Sequence, residues 1–123
     1  MGARGLVAAF VIVPFASLSL VAQGTGIREV SASERSLIQL QTKLRYTTMV
    51  LLPADEEILD VVCGDKDFWV ISATQNIAHI KPAKEGAATN LNLVTTSGAI
   101  YSFMLTEGKS VRPVSKALVE TTT

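Results

Sequence analysis

The sequence predicts an all-β fold, a small β-sandwich of about seven or eight antiparallel strands preceded by an N-terminal signal or anchor segment. Three observations lead there. Apolar residues alternate with polar ones at a period of two in several stretches, the signature of half-buried strands. Turn-forming residues recur about every eight to twelve positions, the spacing of a sandwich or small barrel rather than of a βαβ fold. The 123 residues are 48% hydrophobic and 18% charged, too apolar for a disordered chain. Eleven Lys and Arg balance eleven Asp and Glu, so nothing suggests a phosphate-backbone binder.

The chain opens with an address. Arg4 precedes an uncharged apolar run from Leu6 to Ala22, interrupted by Pro14 and followed by the small-x-small pattern Ala22, Gln23, Gly24. That order of features predicts a secretory signal over residues 1–24, with a retained short anchor as the alternative. Export would place the remainder in an oxidising compartment, where the single Cys63 has no partner within the chain for a disulfide. Flanked by Val62 and Gly64, Cys63 reads as a small buried apolar side chain rather than a reactive thiol.

The strands follow. Ile38, Leu40, Leu44 and Tyr46 alternate with polar residues, predicting one strand, and Thr47 to Leu52 a second that stops at Pro53. A turn at Ala54 to Glu56 leads to the apolar run Ile58 to Cys63. After Gly64 to Asp67, a strand over Phe68 to Ile71 completes a predicted hairpin. A helix from Asp55 to Val62 competes for this stretch, but it would be little more than two turns long, too short to hold in water. Ile77, His79 and Lys81 alternate with Ala78 and Ile80 up to Pro82; Leu91, Leu93 and Thr95 alternate after a polar loop and Thr89. Ser97 and Gly98 mark a tight turn before Ala99 to Thr106, with Tyr101, Phe103 and Leu105 on one face. The predicted core is Leu40, Leu44, Val50, Ile58, Val61, Trp69, Ile71, Ile80, Leu91, Leu93, Tyr101, Phe103 and Leu105. Residues 25–110 make up the predicted sandwich, and 111–123 a mobile tail with one strand-like patch around Val111 and Val114.

Catalytic chemistry is poorly supplied. Asp55, Glu56, Glu57 and Asp60 are the one cluster suggesting paired carboxylates, yet consecutive acids at a turn read as a solvated loop. The one histidine, His79, sits in no metal-ligand spacing and beside no nucleophile pattern, and no glycine-rich phosphate loop is present. We therefore expect no enzyme, no metal, no cofactor and no small-molecule substrate. A carbohydrate- or ligand-binding sandwich is the alternative, and it would need a concave aromatic face. After the signal the chain offers only Tyr46, Phe68, Trp69, Tyr101, Phe103 and the imidazole of His79 for that purpose, most of them assigned to the core.

The ordered set Pro53, Glu56, Ile58, Gly64-Asp65, Trp69, Lys81-Pro82, Thr89-Asn90-Leu91, Thr95 and Tyr101-Ser102-Phe103 resembles the amino-terminal domain of the CagX/TrbG family of conjugal-transfer and type IV secretion subunits. Ile27-Arg28-Glu29-Val30 is similar to the family's opening strand, so the likeness runs from about Ile27 to Glu107. The resemblance implies a non-catalytic periplasmic sandwich that packs in rings to build a translocation channel. Its implied partners are a lipoprotein, an inner-membrane-anchored subunit and further copies of itself, with no direct nucleic-acid contact. Family members usually carry a second β-domain after a linker, whereas this sequence ends at Thr123, which is the pattern of a short stand-alone version, an adaptor or a truncated product. Gly64, Asp65, Trp69, Lys81, Pro82, Thr89, Asn90, Tyr101 and Phe103 are the signature and candidate interface residues. Gly64 suits a tight turn with positive φ in which Asp65 bonds backbone amides, Thr89 and Asn90 suit a strand start, and Lys81-Pro82 the end of a strand whose missing amide should lie at a sheet edge.

Overall fold

A computed structural model describes residues 26–32, 36–108 and 114–121. The signal reading of residues 1–24 and the patch at Val111 lie outside them. The described residues form nine strands: β1 (Ile27–Ala32), β2 (Leu37–Thr42), β3 (Thr48–Leu51), β4 (Ile58–Cys63), β5 (Trp69–Thr74), β6 (Ile77–Pro82), β7 (Ala88–Thr95), β8 (Ile100–Glu107) and β9 (Lys116–Thr121). They make an all-β sandwich of a five-stranded sheet, β1-β9-β3-β6-β5, over a four-stranded one, β2-β8-β7-β4. The sheets are mixed rather than purely antiparallel, because β1 and β3 both run parallel to β9, and β2 runs parallel to β8.

Period-two alternation built these strands. In β2, β7 and β8 every second residue is buried, which puts Ile38, Leu40, Leu91, Leu93, Tyr101, Phe103 and Leu105 between the sheets. The five-stranded sheet answers with Val50, Trp69, Ala78, Ile80, Ala117 and Val119. Two alanines on that sheet leave room for the large side chains opposite, the alternation of volumes that close packing requires. Nine of the predicted core residues are fully buried, while Ile58, Val61 and Ile71 pack against the core from a half-buried position and Leu44 is half-buried in a turn. Two buried threonine hydroxyls find acceptors, Thr42 Oγ1 donating to Thr106 O at 2.9 Å and Thr48 Oγ1 to Val114 O.

Three expectations are corrected. β2 stops at Thr42, before Leu44 and Tyr46, because Arg45 adopts a left-handed φ of 74° and turns the chain into β3. β4 and β5 are not a hairpin: β4 pairs with β7 and β5 with β6, so residues 64–68 arch from one sheet to the other. Gly64 N donates to Asn90 O at 3.1 Å and keeps the start of the arch on β7. The tail expectation fails over Lys116–Thr121, which is a central strand between β1 and β3 with Ala117 and Val119 in the core. Gly26 anchors its entry, its carbonyl accepting from Ser115 N at 2.9 Å and Lys116 N at 3.1 Å.

Candidate interaction surface

The nine signature residues do not form one patch. Trp69, Pro82, Thr89, Tyr101 and Phe103 are buried, Asp65 is half-buried, and Gly64, Lys81 and Asn90 are exposed. The fold unites one group among them, the arch with the start of β7. Gly64 does not take a positive φ; its role is close approach, since a methyl added there would overlap Asn90 Oδ1 and come within 2.8 Å of Thr89 Oγ1, and those side chains would have to shift. Asp65 Oδ1 accepts from Asp67 N at 3.3 Å, a side chain closing its own turn. Trp69 faces Pro82 across β5 and β6, Tyr101 faces Leu93, and Phe103 faces Leu91, all in the core.

Pro82 needs a different account from the one the sequence suggests, since β6 lies between β3 and β5 and is not an edge strand. Ala83 N donates to Phe68 O, so by strand alternation the nitrogen of Pro82 points the other way, toward β3. Pairing with β3 has already ended at Thr48 opposite Ile80, and the missing amide costs no ladder bond.

The true edges on this side are β4 and β5, one from each sheet, joined by the arch. Each carries exposed apolar residues, Leu59 at 71% and Val70 at 60% being the most open. A groove of about 410 Å³ between them is lined by Val61, Cys63, Lys66, Trp69, Val70 and Ile71. A second hollow of about 450 Å³ flanks β5 on the outer face of its sheet, lined by Leu44, Arg45, Val70, Lys81, Pro82 and Ala83. Cys63 is free and half-buried, its Sγ 3.7 Å from Asp65 O. The β4 edge is guarded, because the ladder with β7 slips between Ile58 and Asp60, and Asp60 Oδ1 takes the Val61 amide at 2.9 Å.

Two carboxylates do structural work that the sequence did not announce. Glu56, read as part of a solvated loop, accepts from Ser97 Oγ at 2.7 Å and from the buried Thr95 hydroxyl, tying the β3–β4 loop to the β7–β8 turn. Glu107 is buried and accepts from Gly86 N at 2.6 Å and Leu44 N at 3.4 Å, joining two loops at one end of the sandwich. Among the described residues no group of acidic, histidine or cysteine side chains is arranged to hold a metal, and no helix is long and apolar enough to cross a membrane. Among the described residues the aromatic rings do not assemble into a platform. Trp69, Tyr101 and Phe103 are in the core, while Lys43 lies over Tyr46 and Lys84 over Phe68 at 5.7 and 4.3 Å from the ring centres.

A comparison with protein families decides the affiliation: the profile of the CagX family, described as conjugal transfer protein, matches residues 25–121. The chain belongs to the CagX family. That match includes β9, in agreement with a domain that runs past residue 110. CagX membership points to a role in conjugal transfer or type IV secretion. A search of curated proteins found no match to the chain.

Proposed function

We propose that this CagX-family chain is a non-catalytic assembly subunit of a conjugal-transfer or type IV secretion channel in the cell envelope, acting through contacts of its sandwich with other subunits. The observation that carries the reading is the pair of neighbouring sheet edges, β4 and β5, exposing Leu59, Val62 and Val70 beside an open groove. Apolar residues at an unpaired edge beside an open groove suit protein contact. Family membership supplies the context. In this reading the chain is exported and works in the periplasm, against a lipoprotein subunit, an inner-membrane-anchored subunit and further copies of itself.

The test is photocrosslinking in cells with an active transfer system, with a crosslinking amino acid at Leu59 or Val70. High-mass adducts containing secretion subunits are the expected result. Recovery of the protein only as a free monomer would count against the proposal. An expectation of no catalysis is checked separately, since transfer should survive Glu56→Gln and His79→Gln whenever the variants remain folded.

A further inference from the structure

We infer that β5 is a docking edge for an extended acidic–apolar segment of a partner protein, added as a sixth strand to the five-stranded sheet. The proposal goes beyond the assembly reading, and binding at this edge is measured on the purified protein independently of any channel.

Backbone geometry is the first ground. Ala83 N donates to Phe68 O, and Val70, Ser72 and Thr74 stand opposite Lys81, His79 and Ile77 in the ladder. In an antiparallel pair the bonded positions alternate, so Val70, Ser72 and Thr74 face β6. The N–H and C=O groups of Trp69, Ile71 and Ala73 therefore point outward, and β5 has no second neighbour among the described strands. The strand Trp69–Thr74 contains no charge, no proline and no glycine, and its register with β6 is unbroken. Among the described residues none of the devices that blunt an edge is present on β5, in contrast to the bulge and Asp60 on β4.

The surroundings fit the side chains of such a strand. Successive residues of an added strand point to opposite faces, and β5 has a hollow on each. On the inner side lies the groove walled by Val61, Cys63, Trp69 and Ile71, which takes apolar side chains. On the outer side lies the hollow with Arg45 and Lys81, open beside Val70. Every ionisable side chain lining either hollow, apart from the Cys63 thiol, is a cation: Lys66 in the first, Arg45 and Lys81 in the second. Although Asp60, Asp65 and Asp67 are nearby in sequence, they line neither. Charge complementarity thus selects a segment whose apolar residues alternate with carboxylates, the apolar ones turned inward and the acidic ones toward Arg45 and Lys81.

The experiment uses the purified protein and a fluorescein-labelled, N-acetylated, C-amidated hexapeptide of alternating valine and glutamate, compared with its valine–lysine counterpart by fluorescence anisotropy. Two carboxylates about 5 Å from cations in a water-exposed site favour the acidic probe by at least about tenfold. Lys81→Gln should weaken that probe about threefold and lessen its salt dependence. Ala73→Pro should abolish binding, since the lost amide faces outward and the β6 ladder is spared. Hydrogen exchange on the unaltered protein keeps the proposal testable if that variant fails to fold. The acidic probe should slow exchange at the Ile71 and Ala73 amides and leave Val70 and Ser72, already bonded to β6, unchanged. Equal affinity for both probes, protection elsewhere in the molecule, or no binding below millimolar concentration would each overturn the proposal.

Discussion

Tyr101→Phe should make the protein more stable. Tyr101 is 5% exposed near the start of β8, and its Oη is shielded from water with no hydrogen-bond partner among the described residues. A hydroxyl buried without a partner costs about 1–3 kcal/mol relative to water. Removing the oxygen leaves the ring, its position opposite Leu93 and the strand unchanged, and opens a gap smaller than a methyl group, a loss of about 0.5 kcal/mol. The balance is a gain of about 1 kcal/mol, or about 4 °C in Tm for a domain of this size. Urea unfolding measures it with Trp69 as the one tryptophan reporter, and the slope against denaturant should not change. If the variant instead loses 1 kcal/mol or more, the hydroxyl is bonded in solution and the reasoning is refuted.

Four further outcomes are expected. Trp69→Ala should cost about 3–5 kcal/mol by circular dichroism melts, since the indole is 3% exposed, whereas Trp69→Phe should stay within about 1.5 kcal/mol because it also removes the unpartnered Nε1. Gly64→Ala should destabilise by about 1–2 kcal/mol through its overlap with Thr89 and Asn90, and a second change, Asn90→Gly, should recover part of the loss in chemical denaturation. Glu107→Ala strips the Gly86 and Leu44 amides of their acceptor, costing about 1–3 kcal/mol, and amide exchange at those two positions should accelerate. Val119→Asp should prevent folding, read as loss of dispersed amide resonances, because it places an unpaired carboxylate in the core of the five-stranded sheet.

What was legible in the sequence was what depends on near neighbours. β7 and β8 are long, alternate cleanly and keep one apolar face, so their existence and inward residues could be read directly. The arch after Cys63 was misread as a hairpin because a short Gly-Asp loop looks the same whether its flanking strands pair with each other or with different partners. The difference lies in the bond from Gly64 to Asn90, twenty-six residues away. β9 was missed because the inward residues described for it are the small Ala117 and Val119, a weak signal beside a threonine-rich end. The candidate surface was out of reach for the same reason: which strands become edges is a property of sheet order, and no local pattern in residues 58–74 states that β4 and β5 lack outer neighbours. Of the nine signature residues, those with apolar rings or a proline ring turned out to be core, which is consistent with their period-two placement.

The threading of β9 between β1 and β3 bears on how the polypeptide is made. Ile27 lies against Lys116 and Met49 against the same residue, so the longest-range contacts of the sheet form only once β9 is available to pair. Until then β1 has no companion and β3 has a bare flank, while the four strands of the other layer can already assemble. Non-local parallel pairing is slow to nucleate, which leaves the nascent chain open to proteases and to sticking for longer than a hairpin-only sandwich would be. A chaperone that covers β1 and β3 until β9 has docked should therefore raise the yield of folded protein.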